Sequence, residues 1–234
     1  MFTGIIQSTA SIVAIEEKEG IRVITLDFKN SFCDALAVGA SVSVDGVCLT
    51  ATTIHSPQCV TFDVMLQSLI TTTLSDAIVG SVVNVERAAK EGAEVGGHPL
   101  SGHIDGCGKI ITIATPQNNK VLRIEVAPSS LRYIFSKGYI ALDGASLTVS
   151  ELNRSEHWFE VWLIPETRRV TTFDHKKIGD KVNIEIDRNT QIIVDTVHST
   201  IEEGLSKFLP AFSKQLLESQ MIDTMTPLLL PENL

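Results

Sequence analysis

Apolar and polar residues alternate in short runs along most of the chain, and glycines break those runs. Ser41-Val42-Ser43-Val44, Thr61-Phe62-Asp63-Val64 and Lys181-Val182-Asn183-Ile184-Glu185-Ile186 each keep the two-residue period of a half-buried strand. Asp45-Gly46 and Asp143-Gly144 are the dipeptides a type I′ hairpin turn favours, because both central residues need positive φ. After Ile193 the period changes. Val194, Val197, Ile201, Leu205 and Phe208 follow three- and four-residue steps, which predicts an amphipathic helix. Gly204 weakens that helix and Pro210 is expected to end it, with a second helix carrying Phe212, Leu216, Met221 and Met225. An apolar stripe of this kind needs a cover, and self-association is the expected one.

The alternating part is written twice. A shift of 98 places Phe2-Thr3-Gly4-Ile5-Ile6 on Leu100-Ser101-Gly102-His103-Ile104, and Val44-Asp45-Gly46-Val47-Cys48-Leu49-Thr50 on Leu142-Asp143-Gly144-Ala145-Ser146-Leu147-Thr148. Phe62-Asp63-Val64 aligns with Phe159-Glu160-Val161 at a shift of 97, and Val83-Asn84-Val85-Glu86 with Val182-Asn183-Ile184-Glu185 at 99. The expected fold is therefore mainly β: two tandem, similar, six-stranded Greek-key barrels over residues 1–97 and 98–190, with a helical oligomerisation tail over 191–234. At roughly 150 residues per domain, the 234 residues are compatible with this division.

Charge and cysteine usage narrow the chemistry. The net charge of −9 argues against nucleic acid as a partner, since such a surface repels phosphate backbones. No apolar run reaches the ~20 residues needed to span a bilayer, and no secretory leader is recognisable at Met1, so a cytoplasmic protein is expected. Cys33, Cys48, Cys59 and Cys107 form no C-x-x-C pair and have no histidine at zinc-finger spacing, so no structural metal is expected. Gly106-Cys107-Gly108-Lys109-Ile110 lacks the Ser or Thr of a phosphate-binding loop, and no G-x-G-x-x-G opens a helix.

Several separated motifs, in order, carry a family likeness: Met1-Phe2-Thr3-Gly4-Ile5, the Asp45–Thr50 segment, Gly96-Gly97-His98-Pro99-Leu100-Ser101-Gly102-His103, Lys137-Gly138, the Asp143–Thr148 segment and Leu163-Ile164-Pro165-Glu166-Thr167. On these the chain, from Met1 to about Val197, resembles the riboflavin synthases of the alpha-chain type. The resemblance implies two barrels and a homotrimer joined through a C-terminal helix. It also implies a cofactor-free reaction in which two molecules of 6,7-dimethyl-8-ribityllumazine give riboflavin and 5-amino-6-ribitylaminouracil. Lumazine synthase is a further implied partner. A reaction that consumes two copies of one molecule suits two copies of one binding fold, since holding both reactants together lowers the barrier by about 7–11 kcal/mol.

The same likeness nominates residues. Cys48 would act as nucleophile or acid/base at carbon 7 of a lumazine, where the alternative is a small buried thiol. His103 would move protons on the 7-methyl group, imidazole being the side chain best suited to acid–base work near neutral pH. Ser146 and Thr148 would add to the ring or relay protons, with Ser41 a lesser candidate of the same kind. The repeat alignment sets Cys48 against Ser146 and Ile5 against His103, so a thiol is expected at one site and a hydroxyl with an imidazole at the other. Phe2, Thr3, Gly4, Ile5, Ile6, Val47, Leu49, Phe62, Asp63, Met65, Gln67, Ser68, Ser101, Gly102, Lys137, Leu147, Trp162, Ile164, Glu166 and Thr167 complete the expected binding surface. One departure stands out: the family's Glu-Thr-Leu-Arg after the fifth strand is Gln67-Ser68-Leu69-Ile70 here, whereas Pro165-Glu166-Thr167-Arg168 is kept in the second half. The rival reading is a catalytically silent lumazine- or flavin-carrying antenna protein, which the retained Cys48, His103 and Ser146 disfavour. A flavin reductase barrel would need a nicotinamide domain that the tail is too short to supply.

Overall fold

The computed structural model describes the backbone of residues 1–29 and 31–225, with side chains through residue 206. Six strands form the first barrel: β1 (Ser8–Lys18), β2 (Ile21–Phe28), β3 (Ser41–Val44), β4 (Val47–Ser56), β5 (Cys59–Met65) and β6 (Val82–Arg87). Six more form the second: β7 (Gly106–Ala114), β8 (Lys120–Glu125), β9 (Tyr139–Leu142), β10 (Ala145–Asn153), β11 (Trp158–Leu163) and β12 (Lys181–Ile186). Around the first barrel the order is β1-β2-β5-β4-β3-β6, and around the second it is β7-β8-β11-β10-β9-β12, all antiparallel and both closed. Closure leaves no free strand edge. Short helices α1 (Leu66–Thr71) and α2 (Pro165–Val170) follow β5 and β11. Alternate strand residues such as Ile24, Val42, Leu49 and Phe62 fill the first interior, and Leu122, Ile140, Val149 and Val161 the second. Both predicted hairpin turns have positive φ at their two central residues, 44° and 84° at Asp45-Gly46, 42° and 82° at Asp143-Gly144.

One expected equivalence is wrong. Phe62 pairs with Ile24 and faces Ala51, whereas the residue that pairs with Leu122 and faces Val149 is Val161, not Phe159. The structural shift along the fifth strand is therefore 99, making Asp63 the counterpart of Trp162 and Met65 that of Ile164. A slip of two residues leaves every side chain on its original face, so the alternation pattern cannot detect it.

The repeats meet by exchanging their leading segments. Gly4 O accepts the N–H of Ser146 in the second barrel at 2.8 Å, and Gly102 O accepts that of Cys48 in the first at 2.9 Å. Ile6 packs into the core of the second barrel and Ile104 onto that of the first. Phe2 and Leu100 form a two-way antiparallel bridge at the centre, each donating its N–H to the other's carbonyl. Meanwhile each segment stays tied to its own repeat. Glu86 accepts the N–H and hydroxyl of Thr3 and the N–H of Gly4, and Glu185 does the same for Ser101 and Gly102. Asn84 and Asn183 complete the junction: the amide of each donates to the turn carbonyl of the opposite repeat, Asp143 O at 3.0 Å and Asp45 O at 2.8 Å. Gly4 and Gly102 have positive φ, and a Cβ on either would lie 2.5–2.6 Å from the Cβ of Ser146 or Cys48. Only glycine fits there.

Helix α3 (Arg188–Met225) is a single helix. The end expected at Pro210 does not occur. A proline removes one N–H and crowds one carbonyl, at about 3 kcal/mol, and a long run of good helix formers on both sides can absorb that. Ile193, Val197, Ile201 and Leu205 are exposed along it. Phe208, Phe212, Leu216, Met221 and Met225 lie outside the described side chains. Among the described residues, no helix is long and apolar enough to cross a membrane.

Candidate active site

The outward faces of the two barrels carry the candidate chemistry. In β4, Val47, Leu49 and Ala51 point into the core while Cys48, Thr50 and Thr52 point out. With Ile21, Leu49, Asp63, Met65 and Ser68 they line a cleft of about 380 Å³. Ser41 pairs with Thr50 in the ladder, so it joins this face. The equivalent row on the second barrel is Tyr139, paired with Thr148, then Ser146 in the same strand and Trp162 on β11. Tyr139 and Trp162 are both about half exposed. The faces are built alike and coloured differently: hydroxyl, thiol and carboxylate on the first, aromatic rings and hydroxyls on the second.

The exchanged segments redistribute the expected groups. Gly102 O accepts the N–H of Cys48, so the segment that carries His103 is joined to the strand of the thiol and not, as expected, to that of Ser146. His103 is exposed, and its carbonyl accepts from Arg188 at 2.7 Å. Gly4 and Ile6 likewise meet the second barrel, Gly4 through the N–H of Ser146 and Ile6 within its core. A constant sequence shift identifies equivalent positions, and the exchange makes equivalent positions neighbours of the opposite barrel.

Ser146 has a different imidazole. Its hydroxyl is 2.6 Å from Nδ1 of His98, whose ring stacks on Tyr139 at 5.0 Å between centroids. His98 is 3% exposed, and its Nε2 is buried without a hydrogen-bond partner. Burial pushes its pKa below the ordinary 6.5, with the Asp187 carboxylate opposing. A neutral imidazole whose one hydrogen bond goes to a serine hydroxyl can take and return that hydroxyl's proton. Gly97 makes this approach possible, since a Cβ there would sit 2.3 Å from the carbonyl of Thr3 and 2.7 Å from the Cβ of Ser146. His98 was legible only as part of a motif. At the shift of 98 that relates the halves, no residue of the first repeat aligns with it, so no comparison between halves singles it out.

Several expected contacts are corrected. Phe62 is fully buried in the barrel interior against Phe28, and Val47, Leu49 and Leu147 also point inward, so only their backbones can meet a surface ligand. Ile6 is likewise a core residue. The hydroxyls of Thr3 and Ser101 are committed to Glu86 and Glu185 at 2.7 and 2.6 Å. Phe2 is 1% exposed, packed with Leu100 and Ala141 beside Cys48, and so acts as a wedge at the junction. The remaining residues keep surface positions. Gln67 and Ser68 lie in α1, Glu166 and Thr167 in α2, with Glu166 exposed and paired to Arg169. Lys137 is exposed in the turn before β9 at φ 68°. The structural role of Ser101 gives a first prediction. Ser101→Ala removes a charge-assisted bond and should lower stability by about 1.5 kcal/mol, read as a fall of about 4 °C in Tm, with ligand affinity within about twofold. A weakened affinity at unchanged Tm would return Ser101 to the binding surface. Among the described residues, no three His, Cys, Asp or Glu side chains converge on a metal-sized site.

Comparison with known proteins agrees with this architecture. The model of the lumazine binding domain matches the chain twice, over residues 3–88 and 101–187. Riboflavin synthase of Escherichia coli (strain K12) is 46% identical over 202 residues, covering 86% of this chain and 93% of that protein. Riboflavin synthase of Buchnera aphidicola subsp. Schizaphis graminum (strain Sg) is 44% identical, covering 88% and 98%. That of Mycobacterium tuberculosis (strain ATCC 25618 / H37Rv) is 39% identical, covering 80% and 93%. Among solved structures, LumP complexed with riboflavin superposes with a TM-score of 0.74 at 24% identity, over 80% of this chain and all of that one, a likeness of fold. Two lumazine-binding domains in tandem, and this identity over most of its length, place the chain in the riboflavin synthase family.

Proposed function

We propose that the chain forms riboflavin from two molecules of 6,7-dimethyl-8-ribityllumazine, each held on the outward face of one barrel, with the four-carbon unit passing between them. The observation that carries this reading is the pair of equivalent faces, one presenting Cys48 beneath the His103 segment and the other Ser146 beside His98. In this division Cys48 adds to carbon 7 of one lumazine or moves a proton there, and His103 removes or returns protons at the 7-methyl group. Ser146, with His98 as its base, and Thr148 act on the second molecule, and Ser41 and Thr50 donate to the first. Asp63, Met65, Gln67 and Ser68 border the first ring, and Lys137, Trp162, Ile164, Glu166 and Thr167 the second. The backbone of Gly4-Ile5 and of Val47–Leu49 borders the pyrimidine edges. Residues 1–97, 98–190 and 191–234 serve as two barrels and an assembly tail.

The exposed stripe on α3 supports a homotrimer, in which the first barrel of one subunit faces the second barrel of another. Sedimentation of a fully active monomer would overturn that arrangement. The free thiols suit a cytoplasmic setting, and lumazine synthase, as the source of the substrate, is the partner that fits. An absorbance assay of riboflavin formation on the purified full chain tests the reading, with no metal or cofactor added. Cys48→Ser should reduce turnover about tenfold, and His103→Ala should do the same while lumazine binding persists. Binding without turnover in the unmodified chain would favour the antenna reading.

A further inference from the structure

Equivalent positions beneath the two faces hold different hydrogen-bond networks. In the first barrel, Thr25 and Thr61 join through their hydroxyls at 3.0 Å, and Thr52 donates to the Thr61 carbonyl at 3.1 Å. In the second, the same three places hold Arg123, Glu160 and Ser150. Arg123 Nε donates to Glu160 Oε2 at 3.0 Å, and Ser150 donates to both the carbonyl and Oε1 of Glu160. The first network also takes in His55, whose Nε2 lies 2.8 Å from the Thr61 hydroxyl, whereas the second reaches an exposed indole. Trp162 Nε1 donates to Glu160 Oε1 at 2.8 Å, and the Arg123 guanidinium lies 4.3 Å from the centre of the Trp158 ring. Burial pushes the Glu160 pKa up, but hydrogen bonds from Trp162, Arg123 and Ser150 outweigh it and keep the carboxylate ionised. Trp162 is thus fixed at its polar edge while 48% of it stays exposed on the face bearing Ser146 and Thr148. Val149 pairs with Val161, so one step along the antiparallel ladder sets Trp162 beside Thr148, whose other neighbour is Tyr139. The first barrel has Ser41 and Asp63 in the corresponding row. Tyr139 and Trp162 therefore flank Thr148 from strands about 10 Å apart.

We propose that Trp162, clamped by Glu160 and Arg123, is a fixed aromatic wall against which a flat fused heteroaromatic ring stacks, and that it makes the second barrel the tighter of the two sites. This rests on the reading that lumazine and flavin rings lie on the outward faces. Trp162 touches the ligand; Glu160 and Arg123 are positioning residues that act through it. An indole held by its N–H cannot rotate away, so little ordering remains to be done on binding.

Riboflavin serves as a probe that does not turn over, titrated into the full chain with flavin emission as readout. Stacking on an indole quenches that emission at contact range. The tighter class of sites should bind dark flavin. Trp162→Phe should keep affinity within about threefold and make that class bright, while Trp162→Ala weakens it about tenfold and leaves the looser class unmoved. Glu160→Gln keeps an acceptor for the indole but loses the ion pair, and should brighten the bound flavin partly at a few-fold lower affinity. Equal brightness in the unmodified chain and Trp162→Phe would overturn the inference, as would an unchanged tight class in Trp162→Ala. A chain that forms riboflavin yet ignores these substitutions overturns the inference alone. One that neither binds nor forms riboflavin overturns the functional reading as well.

Discussion

Replacing His98 with alanine is expected to lower the rate of riboflavin formation about a hundredfold while leaving lumazine affinity within about threefold. The side chain is buried behind Ser146 with its one hydrogen bond to that hydroxyl, so its loss removes a proton acceptor and hardly alters the ligand's surface. The activity should also fall in acid. Burial holds the His98 pKa below 6.5, so the imidazole is neutral at pH 7 and loses its basicity as pH drops through that lowered value. The same shift has a stability consequence of defined sign. The folded state binds the proton more weakly than the unfolded chain does, so stability is present above 6.5 and declines as pH falls through the folded value. In His98→Gln the acid limb of the rate profile should vanish; an unchanged limb in kcat would assign it to another group.

The second large effect lies between the barrels. Asp45 and Asp143 occupy equivalent turns in the junction, each accepting a backbone N–H, from Asn84 and Asn183, at 2.7 Å. Asp143 is wholly buried and its Oδ2 lies 2.8 Å from Nζ of Lys176. The first repeat has Ala77 where Lys176 stands, so one cation serves two acids. Burial, then repulsion from Asp143, raises the Asp45 pKa well above 3.8. The Asp143 and Asp45 charges outweigh burial and hold Lys176 up at about 12.

Asp143→Asn would therefore strand a buried ammonium and should cost about 3 kcal/mol, or about 10 °C in Tm. Asp45→Asn replaces a carboxyl whose ionisation burial and Asp143 both oppose by a neutral group that still accepts from Asn84. It should be neutral at acid pH and stabilising by about 1 kcal/mol at pH 8. The direction follows from linkage: a carboxyl with a raised folded pKa supplies stability fully below 3.8 and loses it as pH climbs through the folded value, and the asparagine variant escapes that loss. Lys176, raised above 10.5, supplies stability that disappears only as pH rises through about 12. Equal effects of the two substitutions in urea unfolding would refute this unequal sharing.

Alternation and the repeat carried most of the fold: closed barrels, positive-φ turns at Asp45 and Asp143, and matched Glu86 and Glu185 all follow from them. Three features escaped, each for a physical reason. Phe62 aligned with Phe159 because a two-residue slip preserves strand faces, and only ladder pairing shows Val161 to be its equivalent. Helix α3 passes Pro210 because one local penalty is weighed against many favourable neighbours. The grouping of His103 with Cys48, and of His98 with Ser146, depends on which barrel each leading segment touches, and equivalence within a repeat carries no information about adjacency. Cys48 and Ser146 themselves were legible because they differ at one aligned position.

The exchange of leading segments also gives the junction a two-fold pseudosymmetry. Phe2 meets Leu100, Gly4 touches Ser146 as Gly102 touches Cys48, and Asn84 and Asn183 reach across in both directions. This is the contact pattern that two identical chains would make by swapping their N-terminal arms about a two-fold axis. Within one covalent chain, unlike such a dimer, the halves can differ, and they do at Cys48 and Ser146, Asp63 and Trp162, Ala77 and Lys176.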